Sequence, residues 1–243
     1  MTTYLVTGGS HGLGIPTVAG LTAPGNEVRV LSRRSGPFRG DLTTGDGVDA
    51  ALAGASTVVH LATTGRKDVP ATRLLLDKAR RAEVRHVVYI SIVGVDRIDF
   101  AYYRDKFACE RLVEESGMAY TLLRATQFHS LIARILTAPL PVRPTLPISA
   151  QPIARTEVAR RLCELAEGEP AGRVADIGGP EILTMQDMAR QWNAAHRSRK
   201  PAVTIPLVGR AIGGFKAGHH MPGLPGFGTQ TFAQFAAADA AGR

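Results

Sequence analysis

Apolar, β-branched residues occur in short continuous runs, and stretches with helical periodicity separate one run from the next. Tyr4-Leu5-Val6-Thr7, Val28-Arg29-Val30-Leu31, Ser56-Thr57-Val58-Val59-His60-Leu61, His86-Val87-Val88-Tyr89-Ile90-Ser91 and Tyr120-Thr121-Leu122-Leu123-Arg124 read as strands. Several are apolar without alternation, as strands covered on both faces are. Helical patterns fall between them at about 46–53, 69–83 and 103–117. This alternation predicts an α/β fold: right-handed crossovers and a parallel sheet flanked by helices. Ligands of such sheets gather beyond the carboxyl ends of the strands.

The regularity weakens after residue 130. Pro139, Pro141, Pro144, Pro147 and Pro152 mark an irregular connection. A helix near 156–167 is expected behind Thr156, a strand near 173–177, and a helix near 184–196 capped by Thr184 with Asp187 three residues on. The Gly- and Pro-rich stretch 206–228 is expected to wrap a surface or cleft. The pattern divides the chain into a core over 1–130 and a smaller mixed region over 131–243, packed as one compact unit. A substrate cleft is expected between the sheet's carboxyl edge and the segments 130–150 and 206–228.

Composition supports a globular protein: 243 residues, 44% hydrophobic and 21% charged, carry ample core material. No apolar run approaches the ~18 residues of a membrane span. The first strand begins too early for a signal peptide, and Cys109 and Cys163 are isolated in helix-like sequence. Buried thiols in a reducing compartment, the cytoplasm, are expected. The net charge of +8 raises nucleic acid as a partner, yet the charges are scattered. The stretch 188–238, with six cations and no carboxylate, reads as a solvated surface. Neither nucleic acid nor membrane is expected as a partner; a homo-oligomer is compatible with the sequence.

Candidate chemistry begins where the first strand runs into Gly8-Gly9-Ser10-His11-Gly12-Leu13-Gly14. Gly8 permits a tight turn, Gly12 lets backbone approach a pyrophosphate, and Gly14 lets helix and sheet come close. The helix N-terminus then offers free N–H groups and the positive end of its dipole to an anion. Ser10, His11 and Leu13 complete this set. In dinucleotide sites an acid at the end of the second strand binds the ribose diol, whereas arginine accepts a 2′-phosphate. Here that strand ends in Leu31-Ser32-Arg33-Arg34, which favours NADP(H) over NAD(H). Asp41, followed by Leu42, is a candidate for the adenine amino group, or else a turn residue. Ala62, Thr63 and Thr64 offer small side chains and backbone to the cofactor's middle.

Ser91 ends a strand, and Tyr102-Tyr103-Arg104-Asp105-Lys106 follows 11 residues later. Tyr102 and Lys106, four apart, share a helix face. An ammonium beside a phenol favours the phenolate, which would bring Tyr102 toward working pH as an acid for a carbonyl oxygen held by Ser91. Lys106 is also a candidate for the nicotinamide ribose. Tyr103 lies near the same face, so either phenol can serve. Gln127, Phe128 and His129 follow a strand's carboxyl end and are candidates for the substrate pocket, as is Tyr103. His219-His220 has no carboxylate or third ligand nearby, and no metal is expected.

These residues carry a resemblance. Thr7-Gly8-x-x-x-Gly12-x-Gly14, the strand ending at Ser91 and Tyr102-x-x-x-Lys106 resemble the short-chain dehydrogenase/reductase superfamily. The runs His86–Val95, Tyr102–Glu110, Leu123–Phe128 and Asp176–Glu181 are similar to its atypical, NmrA-like branch. The resemblance implies a Rossmann-type parallel sheet binding NADP(H), with a small C-terminal substrate-binding part. It departs from the branch at the turn: His11 stands at the branch's usual middle glycine, and the glycine falls one residue later at Gly12. The Ser-to-Tyr interval is also shorter than is usual in the classical enzymes of the superfamily. The implied function is an NADPH-dependent oxidoreductase reducing a small, fairly apolar carbonyl, enone, imine or quinone. The alternatives are a non-enzymatic NADP(H) sensor, as some members of the branch are, and a non-redox epimerase or dehydratase.

Overall fold

The computed structural model describes residues 2–34, 36–206 and 209–242. The chain divides into two interleaved units, one formed by residues 1–91, 101–124 and 155–175, the other by 92–100, 125–154 and 176–243.

The first unit is built on strands β1 (Thr2–Thr7), β2 (Asn26–Leu31), β3 (Thr57–His60), β4 (His86–Ile92), β5 (Tyr120–Ala125) and β6 (Gly172–Arg173). They form a six-stranded parallel sheet in the order β2-β1-β3-β4-β5-β6. Thr7 stands opposite Leu31 on one side and His60 on the other, which fixes the register at the carboxyl ends. The order reverses at β1, the switch point where such sheets bind ligands. Ser32 makes an isolated parallel bridge to Arg39. Counted as a vestigial strand at the β2 edge, that bridge completes the 3-2-1-4-5-6 order of the dinucleotide-binding fold.

The helices of this unit are α1 (Gly14–Leu21), α2 (Val48–Leu52), α3 (Asp68–Arg81), α4 (Ala101–Glu114) and α5 (Arg155–Glu167). Their placement follows the predicted pattern, with ends shifted by a few residues. α3 begins on Asp68 and ends on Lys78, Arg80 and Arg81, charges that complement the helix dipole. Leu5, Val58, Val87 and Leu122 of the strands bury against Leu52, Leu75, Leu76 and Val113 of the helices. This burial is why the strands read as unbroken apolar runs.

The observed partition differs from a boundary at residue 130. α5 lies against α1, where Cys163 Sγ sits 3.5 Å from the Thr17 carbonyl oxygen and a Cβ on Gly20 would meet that sulfur at 2.7 Å. Both cysteines are buried thiols. α5 starts at Arg155, so Thr156 lies inside the first turn rather than capping it. The strand expected near 173–177 shrinks to β6 and an isolated bridge between Ala125 and Ile177.

The second unit holds α6 (His129–Leu136), α7 (Met185–Ala195), α8 (Arg210–Lys216) and α9 (Phe232–Ala241). Two small sheets accompany them: parallel β7 (Arg143–Thr145) with β10 (Ala202–Thr204), and antiparallel β8 (Ser149–Ala150) with β9 (Leu183–Thr184). Thr184 and Asp187 form the reciprocal capping box expected from their spacing. Ile132, Leu136, Met188, Trp192 and Phe232 make the core of this unit. Leu207 and Val208, within the Gly/Pro-rich stretch, lie outside the described residues. Among the described residues no helix is long and apolar enough to cross a membrane.

Candidate functional site

The glycine turn joins β1 to α1 in the first unit. Gly8 has φ +73°, and a Cβ there would lie 2.8 Å from the Ala62 backbone, so the chain after β3 runs directly against the turn. A Cβ on Gly14 would fall 2.1 Å from the Gly8 carbonyl oxygen, which only glycine tolerates. Gly12, at φ +59°, differs: its Cβ position meets no atom closer than Arg155 Nη1 at 3.7 Å. The turn thus folds tightly on itself at Gly8 and Gly14 and stays open at Gly12. Ser10 and His11 are exposed beside that opening, Ser10 Oγ lying 3.3 Å from His11 Nδ1, while Leu13 is buried beneath it. A cradle with its middle residue unobstructed at a helix N-terminus fits a dinucleotide pyrophosphate.

At the end of β2, Arg33 and Arg34 are both exposed. Asp41 Oδ1 accepts hydrogen bonds from Thr43 N at 2.7 Å and Thr43 Oγ1 at 2.8 Å, so one oxygen of this carboxylate closes a turn. These bonds hold its pKa below the usual carboxylate range, and the charges of Arg33 and Lys67 add to the effect. Arg33, Asp41 and the exposed Lys67 are therefore electrostatic neighbours, and Leu42 is buried beside them.

Asp68 organises the loop after β3. Its carboxylate accepts from Thr63 Oγ1 at 2.8 Å, from Thr64 Oγ1 at 3.0 Å and from Thr64 N. The hydroxyls of Thr63 and Thr64 are thereby committed to the protein, and Ala62 N donates to Thr7 Oγ1 at 3.3 Å. Thr63 also neighbours the Tyr102 phenol and favours its ionised form. Asp68 was missed in the sequence, although an acid opening a helix three residues after Thr63-Thr64-Gly65 is a visible signal.

Ser91 is 2% exposed, and its Oγ has no hydrogen-bond partner among the described residues. A buried hydroxyl left so costs about 1–3 kcal/mol, which a ligand oxygen would recover. On α4, Tyr102 is half-buried and Tyr103 buried, with ring centres 6.5 Å apart. Lys106 is 5% exposed and lies 4.5 Å over the Tyr89 ring centre. Burial pulls its pKa below the ordinary lysine value, and Cys109, Asp68 and Glu110 oppose that pull. The expected lowering of the Tyr102 phenol is corrected: burial pushes it up, with Asp68 acting in the same direction and Thr63 against it.

In the second unit Gln127 and Phe128 are half-buried, and Phe128 bridges to Ile153. His129 is instead a packing residue. Its ring stacks on Phe235 at 5.2 Å, meets Phe232 edge-on, and donates from Nε2 to the Gln230 carbonyl at 3.1 Å. The ring is thus packed among aromatic residues of a terminal helix, with Nδ1 buried as well, an environment that sequence spacing does not reveal. His220 is likewise buried, its Nε2 donating to the Ser149 carbonyl.

A family model described as NAD(P)H-binding matches residues 21–169, more than half of the chain. No curated protein sequence matches. Among solved structures, an NADPH-dependent quinone oxidoreductase from Escherichia coli, complexed with NADPH, is 18% identical with a TM-score of 0.72, covering 98% of this chain and 88% of its own. A short-chain dehydrogenase/reductase superfamily protein from Agrobacterium tumefaciens with bound NAD is 19% identical, TM-score 0.72, over 99% and 96%. A UDP-glucose 4-epimerase from Bifidobacterium longum, in complex with NAD+ and UDP, is 14% identical, TM-score 0.75, over 98% and 97%. The chain belongs to the NAD(P)H-binding family and has the fold of the short-chain dehydrogenases/reductases.

Proposed function

We propose that the protein is an NADPH-dependent reductase of a small, fairly apolar carbonyl, enone, imine or quinone. The observation that carries this reading is Ser91: a buried hydroxyl at the carboxyl end of β4 without a protein partner, in the same unit as Tyr102, Lys106 and the glycine turn. A hydroxyl in that state is a ready donor to a substrate oxygen.

In this reading Gly8, Gly12 and Gly14 shape the pyrophosphate cradle. Arg33 and Arg34 pair with the 2′-phosphate, beside Asp41, whose carboxylate closes the following turn through Thr43. Backbone at Ala62–Thr64 borders the middle of the cofactor. NADPH supplies the hydride that reduces the substrate carbon. Ser91 holds the substrate oxygen, and Tyr102 delivers the proton that completes the new hydroxyl. The phenol is protonated before the reaction, and because burial raises its pKa it donates only once negative charge develops on the substrate oxygen. Lys106, near the same helix face, supplies positive charge as the proton leaves.

A non-catalytic NADP(H) sensor is the second reading. It is favoured by the position of Lys106, whose ammonium is stacked on Tyr89 in a buried site. The two readings part on turnover. Purified protein is incubated with NADPH and a panel of carbonyls, enones, imines and quinones, in parallel with Tyr102→Phe and Tyr103→Phe. The reductase reading expects NADPH consumption that falls about 10²-fold or more in Tyr102→Phe. Full turnover in both variants would exclude phenol-mediated proton transfer, and NADPH binding without consumption would favour the sensor.

A further inference from the structure

We infer that Arg155 is a ligand for the cofactor's pyrophosphate, reaching it from α5 across the open middle of the glycine turn. The inference rests on the reading that this turn holds NADP(H), and it adds a residue that the glycine pattern does not contain.

Three observations converge on it. The Gly12 Cβ position is open except for Arg155 Nη1 at 3.7 Å, so the guanidinium borders the one part of the turn that the protein leaves unfilled. Arg155 is half-buried and has no hydrogen bond or ion pair among the described residues. Other arginines of the same helix are paired: Arg160 and Arg161 both bond Glu164. Finally, Arg155 is the first residue of α5, a 13-residue helix. A cation there faces the positive end of the helix dipole, the end that favours anions.

An arginine that is partly desolvated, unpaired and at the unfavourable end of a helix is explained by an anion arriving from outside. The pyrophosphate carries charge and acceptor oxygens that match a guanidinium fork. The arrangement is also anchored. Contact between Cys163 and both Thr17 and Gly20 locks α5 to α1, so the start of α5 stands one arginine side chain from the turn. A side chain at residue 12 would occupy the space between the guanidinium and its anion, giving Gly12 a role beyond its φ.

The test compares full-length wild type, Arg155→Gln, Arg155→Lys and Arg33→Ala by calorimetric titration with NADPH and with NADH. The pyrophosphate is common to both nucleotides, whereas only NADPH has the 2′-phosphate. Arg155→Gln is expected to weaken both by the same factor, about 10- to 100-fold. Arg155→Lys is expected to fall between, and Arg33→Ala to weaken NADPH alone. The thermal midpoint of the unliganded Arg155→Gln protein is expected to equal or exceed that of wild type, because no protein contact is lost. Wild-type affinity in Arg155→Gln, a loss confined to NADPH, or a lowered unliganded midpoint would each overturn the assignment. A wild type that binds neither nucleotide would overturn the underlying reading as well.

Discussion

The Lys106 ammonium sits 4.5 Å above the centre of the Tyr89 ring, joining α4 to β4 within two residues of Ser91 along that strand. The ring face replaces part of the hydration that the buried charge has lost. Because such a charge is expensive to bury, an apolar residue of similar length should be tolerated by the fold. We expect Lys106→Met to unfold within about 1 kcal/mol of wild type in urea, while NADPH affinity and turnover both fall. A large loss of stability with unchanged affinity would make Lys106 a structural residue.

Glu110 and Arg124 form a buried, bidentate pair between α4 and β5, at 2.8 and 2.6 Å, with side chains 1% and 4% exposed. Removing one partner strands the other charge in the core. Glu110→Ala or Arg124→Ala should each cost about 3–5 kcal/mol. For a chain of this length that lowers the thermal midpoint by roughly 10 °C. Scanning calorimetry checks this, and replacing both residues with apolar ones should cost less than the sum of the single changes.

His60 makes stability depend on pH. Thr7 Oγ1 lies 2.7 Å from Nδ1 and Thr72 Oγ1 3.0 Å from Nε2. Burial, reinforced by the Lys106 charge, pushes the ring pKa down to about 3 from 6.5. Above pH 6.5 both folded and unfolded chains hold the ring neutral and it contributes no slope. As pH falls from 6.5 toward 3 the unfolded chain gains a proton that the folded protein refuses, so stability is lost, by roughly 5 kcal/mol in full. Urea unfolding of wild type and His60→Asn across this window should differ in slope by about one proton.

Arg33 and Arg34 stand exposed at the end of β2. If they read the 2′-phosphate, the double variant Arg33→Ala/Arg34→Ala should lower NADPH affinity at least about tenfold and leave NADH affinity unchanged. Equal binding of NADPH and NADH by the wild type would contradict that role.

The strands were legible because a parallel sheet covered on both faces must be built from unbroken apolar runs, as Val58-Val59 and Val87-Val88 show. The Thr184–Asp187 cap was legible for a similar reason, since the reciprocal bonds require a fixed spacing. The two-residue strands Ser149–Ala150 and Leu183–Thr184 were not, because two residues carry no periodicity. In the site, the glycine turn and Ser91 could be placed from local pattern. Arg155 and Asp68 act across long stretches of chain or through a loop's hydrogen bonds, and their partners become visible only once α5 meets α1 and the 62–68 loop closes. The direction of the Tyr102 shift depended on burial, which outweighs the opposing effect of Thr63 and which helical spacing does not encode.

A crystal structure with NADPH and an unreactive carbonyl analogue tests the central claim most directly. The account predicts the analogue's oxygen within about 2.6–3.2 Å of both Ser91 Oγ and the Tyr102 hydroxyl, with its carbon about 3–3.5 Å from the nicotinamide C4. A nicotinamide ring seated out of reach of Ser91, Tyr102 and Tyr103 alike would contradict it.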